Sequence, residues 1–266
     1  MARSALLNVM VQAAVKAGKS LTRDFGEVQN LQVSVKGPGD FVSQADFKAE
    51  KIVHDELMKA RPTYGFLGEE GGEEKGTDGA HRWIVDPLDG TTNFLHGIPQ
   101  FATSIALERN GEIVAGVIFN PATDELFTAE KGGGAFLNDR RLRVAARRVL
   151  SDCVIGCGVP HLGRGNHGKF LVEMRHVMGE VAGIRRMGAA ALDLAYVAAG
   201  RLDGFWEAEL HAWDMAAGLI LIREAGGFSS DMKGGQDMFE TGTVVAGNEL
   251  IQKALLEVSN RPVPSR

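Results

Sequence analysis

Two carboxylates three positions apart, Asp86 and Asp89, stand where the apolar run Trp83-Ile84-Val85 meets a turn marked by Pro87 and Gly90. An apolar run bounded by turn residues reads as a buried strand, and proline and glycine make the chain bend as it leaves the sheet. Both acids are therefore expected on a loop at the strand's end, where oxygen ligands converge. Such ligands suit a hard cation. Mg²⁺ takes oxygen ligands octahedrally, keeps several waters, and is held by a few carboxylates together with substrate phosphate oxygens. Two such ions about 3.5–4 Å apart clamp the attacking and leaving oxygens of a phosphoryl displacement.

Other acids offer themselves for the same site. Glu69 and Glu70 end the short apolar segment Gly65-Phe66-Leu67-Gly68, Asp214 follows Trp213 at the head of an apolar helical run, and Asp46 begins a helix after Ser43. No cysteine or histidine cluster accompanies them, which disfavours zinc and favours Mg²⁺ or Mn²⁺.

Each acid also has a purely structural explanation. Asp46, with Ser43 three residues before it, has capping-box spacing, and Asp214 could likewise serve the start of its helix. Beside Trp213, however, Asp214 reads as a partly buried carboxylate, which is costly unless paired or metal-bound. Asp86 and Asp89 could be Asx-turn formers, the weaker reading for two acids at the end of one buried strand. Glu70, Glu73 and Glu74 read as a solvated loop. Thr91 could cap a helix or supply a hydroxyl. If a helix starts at Gly90 and Thr91, its unpaired N–H groups face an anion, so a phosphate is expected there. Gly132, Gly133 and Gly134 are not followed by Lys and Ser or Thr, so they read as a hairpin turn rather than a nucleotide loop. His161, His167 and His176 read as surface or core residues, and Arg185-Arg186 as a solvated pair.

The elements that must position these residues follow from periodicity. A helix is expected within 3–30 and a second from Ser43 to Ala60, with Ala49, Ile52, Val53, Leu57 and Ala60 on its apolar face. Strands are expected at 64–68 and 82–86, then a short helix from Thr91 to Leu95. Ala102–Leu107 and Ile113–Phe119 flank the Asn110-Gly111 turn as a hairpin. Beyond about residue 145 strands alternate with helices at 168–179, 189–199 and 214–224, with strands at 153–156, 202–206, 228–230 and 243–246 between and after them. Gly226-Gly227 suits a left-handed cap, and Asn248 starts the last helix. These runs imply an α/β (α+β) fold in two subdomains, 1–145 and 146–266, with helices on an antiparallel sheet in the first and on a mixed sheet in the second.

Composition bounds the function. The chain has 266 residues, enough for a large core, and 44% hydrophobic with 24% charged residues is ordinary for a globular protein. A net charge of −5, from 29 basic and 34 acidic residues, argues against a nucleic-acid surface. Cys153 and Cys157 sit in an apolar segment and read as buried free thiols in a cytosolic protein. No apolar stretch is long enough to span a membrane, and the amino terminus lacks the basic-then-apolar pattern expected of a secretion signal.

Three segments together resemble a known family. Glu69-Glu70, the run from Asp86 through Asp89, Gly90, Thr91 and Asn93 to Phe94, and Trp213-Asp214-Met215-Ala216-Ala217-Gly218 look like the motifs of the inositol monophosphatase family. The run from Arg185 to Glu207 is similar to its bacterial SuhB-type branch, and the likeness extends from Ala5 to the last helix. The resemblance implies a layered α-β-α-β-α sandwich of the inositol monophosphatase and sugar phosphatase type. It also implies a Mg²⁺-dependent phosphomonoesterase acting on inositol monophosphate or a related polyol phosphate. By resemblance one ion is held by Glu69, Asp86 and the Leu88 carbonyl, a second by Asp86, Asp89 and Asp214, and a third leans on Glu69. Thr91 and Asp46 then act on the attacking water, Gly90 and Thr91 meet the phosphate, and Asp89, Gly188, Ala190, Glu207 and Asp214 contact the substrate. Lithium inhibition, a homodimer and a transcription-machinery partner are further implications. Fructose-1,6-bisphosphatase, histidinol phosphatase and 3′-phosphoadenosine phosphatase share the same motifs.

Overall fold

The computed structural model describes residues 3–27, 33–37 and 40–262. Helix α1 (Ala5–Phe25) is capped by Ser4, whose side chain accepts the Leu7 N–H, and its apolar stripe is buried. The expected helix over 3–30 is therefore shorter, and 28–30 lie outside the described residues. A hairpin of β1 (Val33–Gly37) and β2 (Asp40–Ser43) leads into α2 (Gln44–Ala60). Next come β3 (Gly65–Gly68), β4 (Gly72–Glu74), β5 (His81–Asp89), the short α3 (Thr91–Leu95), β6 (Ala102–Arg109), β7 (Glu112–Asn120), β8 (Glu125–Glu130), β9 (Gly134–Leu137) and β10 (Arg140–Arg141). They form one sheet in the order β10-β9-β8-β7-β6-β5-β3-β4. Its pairs are antiparallel except β3 with β5, so the first sheet is mixed, not purely antiparallel as expected.

The second half adds β11 (Val154–Cys157), α4 (His167–Met178), β12 (Gly183–Arg185), α5 (Ala190–Ala198), β13 (Gly204–Ala208), α6 (Ala212–Glu224), β14 (Phe228–Ser230), α7 (Met238–Thr241), β15 (Thr243–Gly247) and α8 (Glu249–Ser259). Its sheet runs β12-β11-β13-β15-β14, parallel on the β11 side and antiparallel on the β15 side.

Three apolar clusters define the layers. Met10, Ala14, Ala49, Val53 and Leu57 of α1 and α2 pack on Trp83, Val85 and Val117 of the first sheet. On that sheet's other face, Ile84, Ala106 and Ile118 meet α5 and α6, which also cover Phe205, Val244 and Ala246 of the second sheet. The far side of the second sheet, with Ile155, Trp206 and Val245, is closed by α4 and α8 through Val177, Ile251 and Leu255. Helix pair, sheet, helix pair, sheet, helix pair is the layered arrangement the resemblance implies. Each fully buried large side chain in it contributes about 1.5–3 kcal/mol of hydrophobic stabilisation.

Close approach fixes the central layer. A Cβ on Gly116 of β7 would lie 2.6 Å from Ile220 Cγ2 and 2.9 Å from the Ala217 carbonyl oxygen, so α6 crosses the sheet where β7 has no side chain. The glycine triplet ends in the β8–β9 hairpin, where the Glu224 carboxylate accepts the Gly132 and Gly134 N–H groups at 3.0 and 2.9 Å.

Candidate active site

Alternation along β5 aims its acids. Trp83 and Val85 point into the α1–α2 core and Ile84 toward α5 and α6. Asp86 shares the parity of Ile84, so it faces the central helices. The strand does not stop at residue 86 as expected: it continues to Asp89, with its pairing to β6 broken between Asp86 and Asp89. Asp86 Oδ1 accepts the Leu88 N–H at 2.9 Å and Thr103 Oγ1 donates to the Pro87 carbonyl at 3.0 Å, which carry the strand around the proline. The two acids thus lie in an irregular strand end rather than a free loop, and the Asx-turn bond is real for Asp86.

Gly90 caps α3 with φ of 86°, a left-handed conformation that glycine adopts without strain, and a Cβ there would press to 2.8 Å from the Gln100 carbonyl. Thr91 opens α3 without capping it by side chain. Its Oγ1 lies 3.1 Å from Asp46 Oδ1 and 3.0 Å from the Leu88 carbonyl, so one proton serves two acceptors. Asp46 is also the helix cap the spacing predicts: its Oδ2 accepts from the Ser43 N–H at 2.8 Å and the Ser43 hydroxyl at 2.7 Å. Burial raises the Asp46 carboxyl above its usual range, against the lowering effect of the Ser43 and Thr91 bonds.

The central helices bring the remaining groups. Asp89 Oδ2 accepts the Ala191 N–H at 2.8 Å in the first turn of α5. Asn93 Nδ2 donates to the carbonyls of Gln100 and Met187 at 2.8 and 2.9 Å, tying α3 to the segment before α5. Asp214 is the third residue of α6 and its Oδ2 accepts the His211 N–H at 2.6 Å, so it too caps its own helix.

These elements surround one cavity of about 610 Å³. Glu69, Asp86, Asp89 and Asp214 line it, as do Leu88, Gly90, Thr91, Gly188, Ala190 and Glu207. Asp46 is not in the lining; it reaches the cavity through Thr91. Burial lifts the Asp86 carboxyl well above the carboxylate range, and the charges of Glu69, Asp89 and Asp214 lift it further. Asp89 is raised likewise, by burial and then by Asp214. Asp214 is pushed up to about 6 by burial, opposed by the His211 N–H and Arg164. Burial and Asp214 push Glu207 up to about 7, opposed by Arg164 and Arg186.

Among the described residues no three Asp, Glu, His or Cys side chains close into a ready ligand set. The acids share a cavity but not a closed coordination shell, and Glu69 lies close enough to Asp86 to help raise its carboxyl. The donor set nonetheless fits a hard divalent cation: it is all oxygen, buried, and burdened with repulsion that a cation would relieve. Thiolate ligation does not enter, because Cys153 and Cys157 are free and buried, with pKa values raised to about 11 and about 12, chiefly by burial.

Sequence reading missed several charged residues here. Asp193 lines the cavity at 1% exposure, raised well above the carboxylate range by burial, and its Oδ1 has no hydrogen-bond partner among the described residues. An acid inside the apolar run 189–199 was the available signal. Arg164 and Arg186, the latter read as one of a solvated pair, also line the cavity and act on Glu207. Away from the cavity, Glu50 is buried on α2 although the apolar face expected there does not include it.

Comparison with known proteins gives the arrangement its relatives. An inositol-1-monophosphatase from Rhizobium meliloti is 79% identical over 266 residues, covering all of both chains. The crystal structure of extragenic suppressor protein suhB from Bartonella henselae superposes with a TM-score of 0.96 at 66% identity, covering 98% of this chain and all of that one. Nus factor SuhB from Pseudomonas aeruginosa is 45% identical over 263 residues, 97% of each chain. The profile described as the inositol monophosphatase family matches residues 2–263, so four acids around one cavity, a Thr91 held by Asp46 and near-complete sequence coverage agree: this chain belongs to the inositol monophosphatase family.

Proposed function

We propose that the chain is a divalent-cation-dependent phosphomonoesterase that hydrolyses myo-inositol monophosphate or a closely related polyol phosphate. The observation that carries this reading is the shared cavity of Glu69, Asp86, Asp89 and Asp214 beside a threonine hydroxyl within hydrogen-bond reach of a buried aspartate. Glu69, Asp86, the Leu88 carbonyl, Asp89 and Asp214 would hold two to three Mg²⁺ ions, with Mn²⁺ as a substitute, which supply charge neutralisation at the phosphoryl group and a more acidic water.

The chain's own groups do the rest. Thr91 Oγ1, by donating its hydrogen bond toward Asp46 Oδ1, keeps a lone pair free to accept one from the attacking water. Ser43 holds the other Asp46 oxygen, so the relay keeps one orientation. The backbone N–H groups at Gly90 and Thr91 face the phosphate. Asp89, Gly188, Ala190, Glu207 and Asp214, which line the same cavity, meet the polyol hydroxyls. Phosphoryl transfer needs positioning and charge stabilisation more than covalent help, so no side-chain nucleophile is assigned.

The test is phosphate release from a panel containing inositol 1-phosphate, fructose 1,6-bisphosphate, histidinol phosphate and 3′-phosphoadenosine 5′-phosphate, with Mg²⁺ or with chelator. The reading expects the inositol ester to be turned over fastest, only with the metal, and to be inhibited by lithium. Turnover that survives chelation would overturn it. A second reading, that the chain is a cytoplasmic homodimer that also binds transcription machinery, is favoured by its likeness to a protein named Nus factor SuhB. A pull-down with the Asp89→Asn variant separates the two, because binding that persists without turnover belongs to a different surface.

A further inference from the structure

Glu50 takes no part in the chemistry assigned above, yet the residue is only 7% exposed. It lies four residues beyond Asp46 on α2, so both side chains leave the helix on the same face. Its Oε2 accepts the Glu70 N–H at 2.9 Å and its Oε1 accepts the Gly71 N–H at 2.6 Å. Bonds from backbone N–H groups to a carboxylate are among the stronger ones in proteins. The loop is shaped to admit them: a Cβ on Gly68 would lie 2.5 Å from Glu50 Oε2, and one on Gly71 2.8 Å from Oε1. From the other side, the Glu69 N–H donates to the Val85 carbonyl at 3.2 Å. The backbone that presents Glu69 is therefore pinned by β5 through its own N–H and by α2 through the next two.

We infer that Glu50 is a positioning residue of the cation site: it holds the loop that carries Glu69. Because the same helix, one turn earlier, holds Asp46 against Thr91, Glu50 also sets that loop in register with the proton relay. This rests on the reading that Glu69 holds a divalent cation. Glu50 touches neither cation nor substrate and acts only through the Glu70 and Gly71 N–H groups. Losing the carboxylate leaves two donors without their partner and frees the Glu69 backbone on one side.

The experiment is calorimetric titration of Mg²⁺ into the full-length, metal-stripped protein, with thermal unfolding measured alongside. Wild type is compared with Glu50→Gln, Glu50→Ala and the control Ala49→Gly, which weakens α2 without touching the loop. Glu50→Gln keeps the shape but presents one acceptor oxygen instead of two, and its Mg²⁺ Kd is expected to rise roughly 10-fold, in the range typical of groups that orient metal ligands. Glu50→Ala should raise it further, while substrate KM at saturating Mg²⁺ stays unchanged. Ala49→Gly should lower the unfolding temperature and leave the Kd where it was. A wild-type Kd in Glu50→Gln overturns the inference, as does an equal rise in Ala49→Gly, which would make the effect one of general destabilisation. Should Glu50→Ala not fold, Glu50→Gln decides alone. Wild-type protein that takes up no Mg²⁺ would sink the cation-site reading itself, before any variant is compared.

Discussion

A carboxylate in this protein tends to do two jobs. Asp46 and Asp214 cap their helices, Asp86 closes a turn on Leu88 N–H, and each also faces the shared cavity or the threonine beside it. Structural and chemical readings of one acid are thus not rivals, since a second oxygen remains for the site. Asp89→Asn and Asp214→Asn are expected to lower kcat by about 10³-fold, the scale of removing a preorganised electrostatic contact. In chelator the same changes should raise Tm by roughly 2–4 °C, because each removes one repelling charge from the cavity. A Tm that falls instead would mean the charge is not opposed by its neighbours. Thr91→Val should cost about 100-fold in kcat and leave the Mg²⁺-induced Tm shift intact, since general-base assistance is lost and metal ligation is not. Glu207 gives a pH test. Burial raises it from 4.5 to about 7, so its contribution to stability is full below 4.5 and disappears as pH rises through about 7. Metal-free Glu207→Gln should therefore gain on wild type in Tm between pH 5 and pH 8, and a constant difference over that range would contradict the assignment. Asp86, Asp89 and Asp214 were legible because each ends or begins a strongly patterned element. Glu50 and Asp193 were not, because a single acid among apolar helix positions carries no mark of which way it turns until the helix is packed.

Whole elements were legible in proportion to their length and periodicity. The hairpin of β6 and β7 and the helices α2, α5, α6 and α8 lie where periodicity and turn residues put them, within a residue or two at most ends. Short elements escaped: β12, with Arg185 at its end, was read as a charged pair, and β1, β2, β4 and α7 gave no pattern long enough to detect. The parallel pairing of β3 with β5 was also hidden, because a strand's direction depends on the crossing between strands rather than on its own residues. We propose that the chain divides near residue 145, since the first sheet ends at Arg141 and the second begins at Val154. Element placement carries its own prediction through Gly116. Gly116→Ala puts a methyl group 2.6 Å from Ile220 Cγ2 and 2.9 Å from the Ala217 carbonyl, so α6 must shift. It should cost about 1–3 kcal/mol of stability by denaturant unfolding and lower kcat as Asp214 moves with its helix. Full activity at reduced stability would show that α6 tolerates the displacement.

At the scale of the molecule, two sheets with a helix pair between them put one shared core behind one cavity. The first sheet contributes Asp86 and Asp89, the loop after β3 contributes Glu69, the central helix α6 contributes Asp214, and the second sheet contributes Glu207, so no half of the chain holds the site alone. That convergence is invisible in the order of residues and follows only from the layering. Among the described residues no helix is long and apolar enough to cross a membrane. The central claim is that carboxylates from these separate segments gather around divalent cations. It is tested most directly by anomalous scattering from crystals grown with Mn²⁺. Strong Mn²⁺ peaks bounded by Glu69, Asp86, Asp89 and Asp214 are expected; peaks confined to other surfaces, or none in that cavity at saturating Mn²⁺, would overturn the cation site.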